Sequence, residues 1–189
     1  MGNSVSSRHF RQAIACDYEQ IQRIYAHARA LMAKNGNPTQ WGDSFPLADT
    51  VRRDIAAGRT MLLVDNEASN EAGAEGSTGD GIAQERILAQ FVLCPGDDPT
   101  YREIDGNWLD DDPYVTIHRI ASSGLVARVA YDCLKWAVEQ YGNVRIDTHP
   151  NNMAMQHVIE RSGFVRCGLI SLLDRETDKT RIAYQRHNR

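Results

Sequence analysis

At 189 residues, with 42% hydrophobic and 24% charged side chains, the chain can bury one ordinary core but is short for two. Its net charge of −4 excludes a generally basic surface for nucleic acid, and no apolar run approaches the roughly 20 residues that cross a membrane. Four widely spaced cysteines without a CxxC pair, and an amino terminus without an apolar leader, predict a cytoplasmic protein with neither a zinc site nor disulfides. The opening MGNSVS matches the pattern for myristoylation of Gly2, a short pattern that often arises by chance.

The first half of the chain alternates strand and helix patterns around one segment that can bury almost nothing. Apolar residues recur every three or four positions over 18–32, which is typical of an amphipathic helix. The predicted elements of this half are strands over 10–17, 60–65 and 87–93 and helices over 18–32 and 47–57. Between the last two strands, residues 66–82 are rich in Gly, Ala, Ser and acids, so a mobile loop is predicted there.

An acidic loop is predicted over residues 95–113, with Tyr101 and Trp108 among its carboxylates. Those carboxylates belong to Asp97, Asp98, Glu103, Asp105, Asp110, Asp111 and Asp112. Such a loop is often simply solvated. It would also suit an entrance that attracts a positively charged substrate, so both interpretations stay open at this point.

The second half predicts a strand–helix–strand unit, then a helix and two closing strands. The predicted elements are strands over 114–120, 144–149, 164–173 and 181–186 and helices over 126–141 and 153–162. Because the first two of these strands are joined through a helix, they should be parallel neighbours with a right-handed crossover. The whole pattern predicts an α/β fold in a single domain, with one mixed sheet of about seven strands and helices on both faces.

The turn ASSG, residues 121–124, joins the fourth predicted strand to the following helix. A loop after a parallel strand leaves the first N–H groups of the next helix unpaired, and the helix dipole adds about half a positive charge there. Small residues around the turn would let a phosphate approach this backbone. The chain contains neither GxGxxG nor GxxxxGK[ST], so Rossmann and P-loop sites lack their diagnostic residues. An anion site and a plain connection both remain open.

The order of strand, small-residue turn, long helix and strand, followed by NNMAMQHVIERSGF, resembles the core of the GNAT superfamily of acetyl-CoA-dependent N-acyltransferases. That family places an asparagine eleven residues before the glycine of a Gly-Phe pair, and Asn152 with Gly163-Phe164 repeats the spacing. The resemblance covers about residues 8–187 and suggests a bacterial branch of the superfamily. It implies one N-acetyltransferase domain over 1–189, whose parallel fourth and fifth strands splay apart.

The resemblance also implies acetyl-CoA as co-substrate. The family's pyrophosphate motif, [Q/R]xxGx[G/A], aligns with residues 125–130, where Leu125 replaces the polar first residue and Arg128 the central glycine. Arg128 could add a charge-assisted contact to phosphate, yet it places a Cβ where the family has none. The implied cofactor-binding residues are Ile120, Ala121, Ser122, Leu125, Val126, Ala127, Arg128, Val129, Ala130 and Asn152, with no metal.

In such enzymes the acceptor amine attacks the thioester directly, so a base must first take a proton from an ammonium whose pKa is about 10.4. His118 on the fourth strand and His149 at the end of the fifth are the implied catalytic residues, each with a structural role as its alternative. We therefore expect acetyl transfer from acetyl-CoA to a primary amine of a small molecule or peptide, with a cationic acceptor. A homodimer is left open.

A non-catalytic sensor that binds acyl-CoA is the alternative function. Family members often protonate the departing thiolate with a tyrosine seven residues beyond the motif asparagine, and here that position is Ile159. Tyr184 and Tyr131 remain as candidate proton donors. The missing tyrosine is the sequence observation that favours the sensor.

Overall fold

A computed structural model describes residues 8–66 and 85–188. The predicted mobile loop, apart from Asn66, and the predicted Gly2 modification fall outside these residues. The strands are β1 (His9–Gln12), β2 (Thr60–Asn66), β3 (Glu85–Pro95), β4 (Asp105–Gly106), β5 (Val115–Ser122), β6 (Asn143–Thr148), β7 (Val165–Ser171) and β8 (Thr180–His187). The α-helices are α1 (Tyr18–Lys34), α2 (Ala48–Ala56), α3 (Val129–Tyr141) and α4 (Met153–Arg161).

All eight strands belong to one mixed sheet with the order β1-β2-β3-β5-β6-β8-β7-β4. Within residues 8–66 and 85–188, only the β5–β6 pair is parallel, and the other neighbours are antiparallel. The prediction of a mixed α/β sheet is therefore confirmed. The structure has one strand more than the seven predicted. This extra strand is β4, two residues of the acidic loop that pair with β7. The predicted fourth and fifth strands therefore correspond to β5 and β6.

The two parallel strands separate after a short stretch of pairing. Val115–Ile117 pair with Val144–Ile146, whereas β5 itself continues to Ser122. Arg119 adopts a positive φ of 52°, and the register of β5 on β3 shifts opposite this residue. Such a bulge bends a strand away from its neighbour. A gap consequently opens between the carboxyl-terminal ends of β5 and β6, as the resemblance implied.

Helices cover both faces of the sheet. On one face α3 and α4 pack on a core that includes Phe91, Ile117, Leu134 and Ile146. On the other face α1 and α2 enclose a second core, formed by Ile21, Tyr25, Val51, Leu62 and Val64 among others. Because side chains alternate along a strand, the neighbours of Ile117 and Ile146 point toward the α1 face. That alternation fixes the direction of His118 and Asp147.

Most predicted boundaries differ from the structure by one or two residues, and two were wrong by more, each for a local reason. The strand predicted over 10–17 ends at Gln12, because the Asp17 carboxylate accepts the N–H of Ile14 at 2.8 Å and pairs with Arg11 at 2.7 Å, closing a tight turn. The helix predicted from Val126 begins at Val129. Arg128 has φ 67° and ψ 6°, a left-handed conformation that cannot continue into the preceding residues as α-helix.

The acidic loop is a folded part of the structure rather than a solvated excursion. Tyr101 is buried, and the indole N–H of Trp108 donates to its carbonyl at 3.1 Å. The Arg145 guanidinium lies 4.0 Å from the ring centre of Trp108 and 3.8 Å from that of Tyr114. Asp110 accepts from the amide of Asn143 and contacts His187 at 2.8 Å, so much of the loop's charge is used within the protein.

No helix in the described part of the chain is long and apolar enough to cross a membrane.

Candidate active site

The gap between β5 and β6 opens into a cavity of about 330 Å³ on the α1 face of the sheet. The α1–α2 connection contributes Gln40, Trp41 and Phe45 to its wall, and the β7–β8 loop contributes residues 172–175. The titratable groups that line it are Asp98, His118, Arg119, Asp147, Asp174, Arg175 and Arg181. A concave site with converging charged groups beside a sheet discontinuity is the expected place for chemistry in this fold.

His118 is held by a carboxylate of the acidic loop. Its Nε2 lies 2.8 Å from Oδ2 of Asp98, and the Thr100 N–H donates to the other oxygen of that carboxylate at 2.9 Å. Burial alone would raise the pKa of Asp98, but the hydrogen bonds from His118 and Thr100 outweigh it and lower the pKa below its ordinary value. Asp98 is therefore an acceptor, His118 donates through Nε2, and Nδ1 is left as the basic nitrogen.

Asp147 follows the last residue of β6 that pairs with β5, and it also lines the cavity. The hydroxyl of Tyr101 donates to it at 2.7 Å. Burial, followed by the charge of Asp147, raises the pKa of Tyr101 well above its ordinary value, so this phenol stays protonated and acts as a donor. The Tyr101 ring also lies 6.2 Å from that of His118, which places one aromatic side chain against both polar groups.

His149 has a different environment from His118. It is buried, its Nδ1 accepts the N–H of Asn151 at 3.0 Å, and its Nε2 lies 2.7 Å from Asp178. Both ring nitrogens are thus occupied, and the residue lines neither the cavity beside His118 nor the one described next. We interpret His149 as a structural residue that fixes the end of β6 to the β7–β8 loop.

A second cavity of about 350 Å³ adjoins the first on the side of α3 and α4. Met32, Ile120, Asn152 and Met155 line both cavities, so the two spaces meet at the gap in the sheet. The second cavity brings together half of the predicted cofactor residues: Ile120, Ala121, Ser122, Ala130 and Asn152. Its wall is otherwise mostly apolar, with contributions from α1 and α4.

The other predicted cofactor residues, 125–129, form the turn outside this cavity. Leu125, Ala127 and Arg128 are exposed, Val126 packs against the core, and Val129 is buried within it. Arg128 precedes the first helical residue and makes no side-chain hydrogen bond to the first turn of α3. The left-handed conformation at Arg128 is the one that a glycine adopts without strain, so the turn keeps a glycine-like backbone despite the substitution.

Two side-chain contacts of the turn were not visible in the sequence. The hydroxyls of Ser122 and Ser123 accept the N–H groups of Gly124 and Leu125 at 3.1 and 3.4 Å. Gly124 has φ 81°, and a Cβ there would lie 2.6 Å from Nε2 of His27 on α1. The positive φ therefore favours glycine at this position, and a larger residue would also require the exposed His27 side chain to move.

Asn152 caps α4 at the boundary of the two cavities. Its side-chain oxygen accepts the N–H of Met155 at 3.2 Å, and its amide donates to Gln40 at 3.0 Å. Gln40 in turn accepts from Asn37 at 2.6 Å. The motif asparagine thus connects α4 to the α1–α2 connection that walls the first cavity.

The candidate proton donors are not at the cavities. Tyr184 is buried and donates to Glu160 at 3.3 Å, and burial together with that carboxylate raises its pKa to about 12. Tyr131 lies 5.7 Å from the Arg128 guanidinium on the outside of α3. Ile159 is buried in the core.

Arg175 and Arg181 line the first cavity but were not predicted as site residues. They belong to no sequence motif from which their position could have been predicted.

Comparison with known proteins gives a match at the level of structure alone. No family model and no curated protein matches the chain. The GNAT-family acetyltransferase of Streptococcus agalactiae is 28% identical, with a TM-score of 0.77 and 96% of each chain covered. A GNAT-family acetyltransferase of Listeria monocytogenes is 17% identical, with a TM-score of 0.63, covering 99% of this chain and 98% of that one. The phosphinothricin acetyltransferase of Sinorhizobium meliloti, solved with acetyl-CoA, is 13% identical, with a TM-score of 0.57, covering 96% of this chain and 88% of that one.

Replacing Asp98 by Asn should destabilise the protein by about 1–3 kcal/mol at pH 7, since a hydrogen bond to a partly buried charged group is lost. Because folding lowers the pKa of Asp98 from its ordinary 3.8, the stabilisation is present above that pH and is lost as the pH falls through the lower folded value. Urea unfolding between pH 7 and pH 2.5 should show the two proteins converging at the acid end. Asp97→Asn is the matched control, because the Asp97–Arg102 pair is exposed and should contribute less than about 1 kcal/mol. A difference for Asp98→Asn that is constant with pH would contradict the assignment.

Proposed function

Because the chain belongs to the GNAT superfamily of acetyltransferases, we propose that it moves an acetyl group from acetyl-CoA to a primary amine of a small molecule or a peptide. One observation carries the proposal: two cavities meet at the gap between β5 and β6, with His118 in one and the start of α3 beside the other. A thioester at the gap would have the basic group on one side and its own nucleotide on the other. The similar S. meliloti enzyme was solved with acetyl-CoA bound.

The turn before α3 is the proposed site of the coenzyme A pyrophosphate. The first N–H groups of α3 have no side-chain cap from Arg128, so they can donate to phosphate oxygens, and the helix dipole favours negative charge there. The pantetheine arm would then run through the mostly apolar second cavity along Ile120 to Ser122. Because β5 has left β6 at this point, its backbone is available for hydrogen bonds to that arm and to the thioester carbonyl.

His118 is the proposed base. Its Nδ1 takes a proton from the acceptor ammonium, directly or through water, and the positive charge that it gains is stabilised by Asp98 at 2.8 Å. The free amine attacks the carbonyl carbon, a nitrogen–carbon bond forms, and the carbon–sulfur bond breaks as the nitrogen releases its remaining extra proton to water. Coenzyme A leaves as a thiolate that takes a proton from water, since no tyrosine in the described part of the chain lines either cavity.

That same lack of a tyrosine supports the alternative of an acyl-CoA-binding sensor, and one assay separates the two functions. We expect acetyl-CoA to raise the melting temperature, since a ligand at a hundred times its dissociation constant adds about 2.7 kcal/mol. We also expect release of free coenzyme A when a panel of primary amines is supplied. A rise in melting temperature without turnover of any amine would favour the sensor. No rise at all would exclude both functions.

Arg128→Glu should raise the dissociation constant for acetyl-CoA at least about fivefold, because it places a negative charge beside the proposed pyrophosphate site. Lys135→Glu, the same charge change further along α3, is the control and should change it less than about twofold. Arg128→Gly keeps the left-handed backbone and should bind nearly as well as the parent. Isothermal titration calorimetry gives all three constants. Equal losses in both Glu variants would place the pyrophosphate elsewhere.

His118→Ala should lower kcat about a hundredfold or more with a small change in KM, as expected for loss of a general base. His149→Ala should instead lower the free energy of unfolding by about 1–3 kcal/mol, because it leaves the N–H of Asn151 and Asp178 without their partner. Its kcat per folded molecule should stay within a few-fold of the parent value. Steady-state kinetics with the best amine and urea unfolding provide the two measurements. The opposite pattern would exchange the roles of the two histidines.

A further inference from the structure

We propose that the amine acceptor also carries a carboxylate, so that an amino-acid-like zwitterion binds between Asp147 and the guanidinium groups of Arg175 and Arg181. The inference rests on the proposed function, because it assigns the acceptor to the cavity that contains His118. It replaces the purely cationic acceptor expected from the acidic loop with a molecule that carries both charges.

Arg181 is the residue that requires an anion. It is only 2% exposed, and its Nη1 donates to the carbonyls of Asp178 and Thr180 at 2.8 and 2.7 Å. Its Nη2 is also buried and, within the described residues, has no hydrogen-bond partner. Nη1 also lies 4.0 Å from Oδ1 of Asp178, at the limit of an ion pair. Burial, its largest influence, lowers the pKa of Arg181 despite the charges of Asp147, Asp178 and Asp174 nearby. Buried charges in proteins are normally paired, so an unpaired donor on a cavity wall marks a place for a ligand anion.

Arg175 supplies a second cation from the adjoining loop. Its guanidinium lies 5.0 Å from the ring centre of Phe45, and Nη1 is 3.4 Å from the carbonyl of Thr39, at the edge of hydrogen-bonding distance. These contacts hold the side chain against the cavity wall and leave most of its five donors available. Two guanidinium groups on one wall match the planar, bidentate acceptor geometry of a carboxylate.

His118, Asp147 and Arg181 lie on three neighbouring strands, β5, β6 and β8. Asp147 on β6 is directly opposite Ala183 on β8, and Arg181 is the diagonal neighbour two residues away on the same face. Diagonal neighbours of this kind have Cα atoms about 7–8 Å apart. His118 follows Ile117, the β5 partner of Ile146, and so lies on the other side of Asp147. A zwitterion could therefore place its amine near His118 and Asp147 and its carboxylate near Arg181.

The charges around the cavity balance rather than favour a cation. Its carboxylates are Asp98, Asp147 and Asp174, and its guanidinium groups are Arg119, Arg175 and Arg181. Asp98 is already bound to His118, and Arg119 is bound to the buried Asp54. A simple diamine would leave Nη2 of Arg181 without a partner and would be repelled by the two guanidinium groups. A molecule with one ammonium and one carboxylate satisfies both sides at once.

The rest of the cavity wall favours an apolar third substituent on that molecule. The apolar residues that line it are Met32, Trp41, Phe45, Leu172 and Leu173, together with three isoleucines and Met155. Trp41 is itself packed edge-on against Tyr25 at 5.6 Å, so the wall is supported from behind. Amino acids with apolar side chains should therefore be preferred over those with a second charge.

The test compares each of the twenty common amino acids with the amine that lacks only its carboxylate. The purified protein is assayed for release of free coenzyme A from acetyl-CoA, and for binding of the same compounds in the presence of coenzyme A by the rise in melting temperature. We expect kcat/KM to favour the best amino acid over its decarboxylated partner by more than about tenfold, since a buried donor is left unpaired by the partner.

Variants then connect that preference to the two arginines. Arg175→Gln and Arg181→Met should each reduce the ratio of the two kcat/KM values at least about fivefold. Arg53→Gln, an exposed arginine on α2 outside the cavity, should leave the ratio unchanged. The ratio is used because partial unfolding of the Arg181 variant would lower both values equally. Arg175→Gln provides the same test without replacing a buried residue.

The outcomes separate this inference from the proposed function. Equal or better turnover of the decarboxylated amines would overturn the inference and leave the acetyltransferase intact. Binding of amino acids without any turnover would support the inference and contradict the acetyltransferase. If no carboxylate-bearing compound in the set binds or reacts, or if the arginine variants keep the full preference, the inference is wrong.

Discussion

The candidate site depends on the point at which β5 stops pairing with β6. Three pairs of residues join the two strands, and then Arg119 takes a positive φ and β5 follows β3 instead. Other parts of the protein hold this bend in place: the Gln90 amide donates to the Arg119 carbonyl at 3.0 Å, and the Arg119 guanidinium is bound to the buried Asp54. A strained backbone of this kind persists only where its surroundings determine it. The gap, both cavities and the direction of His118 all follow from it.

The charged groups of the first cavity differ in how completely they are paired within the protein. Asp98 and His118 are matched in charge and distance, so a proton can be gained there without creating an isolated charge. Nη1 of Arg181 contacts two backbone carbonyls and, at 4.0 Å, the Asp178 carboxylate, whereas Nη2 has no hydrogen-bond partner among the described residues. A paired contact such as Asp98–His118 suits proton transfer, and an incompletely paired group such as Arg181 suits recognition of a ligand. Both groups line the same cavity, close to the gap in the sheet.

Much of the fold could be predicted from the sequence, because apolar periodicity and glycine-ended helices are local signals. The α/β class, the parallel pair and the resemblance at Asn152 and Gly163 all came from such patterns. The missed features depend on contacts between distant residues: β4 exists because Asp105–Gly106 meet β7, and Asp98 reaches His118 from twenty residues away. His118 and His149 looked alike in sequence, since only their neighbours Asp98, Asn151 and Asp178 distinguish them. The arginines of the cavity carry no local signal at all.

The left-handed conformation of Arg128 has a consequence for how such proteins are detected. The sequence motif of the family has a glycine at this position. The turn itself needs only a positive φ, and Arg128 adopts one of 67°. What this turn needs is thus a torsion angle rather than a particular amino acid. A backbone similar to that of the GNAT-family acetyltransferase of Streptococcus agalactiae can therefore persist in a chain that no family model matches.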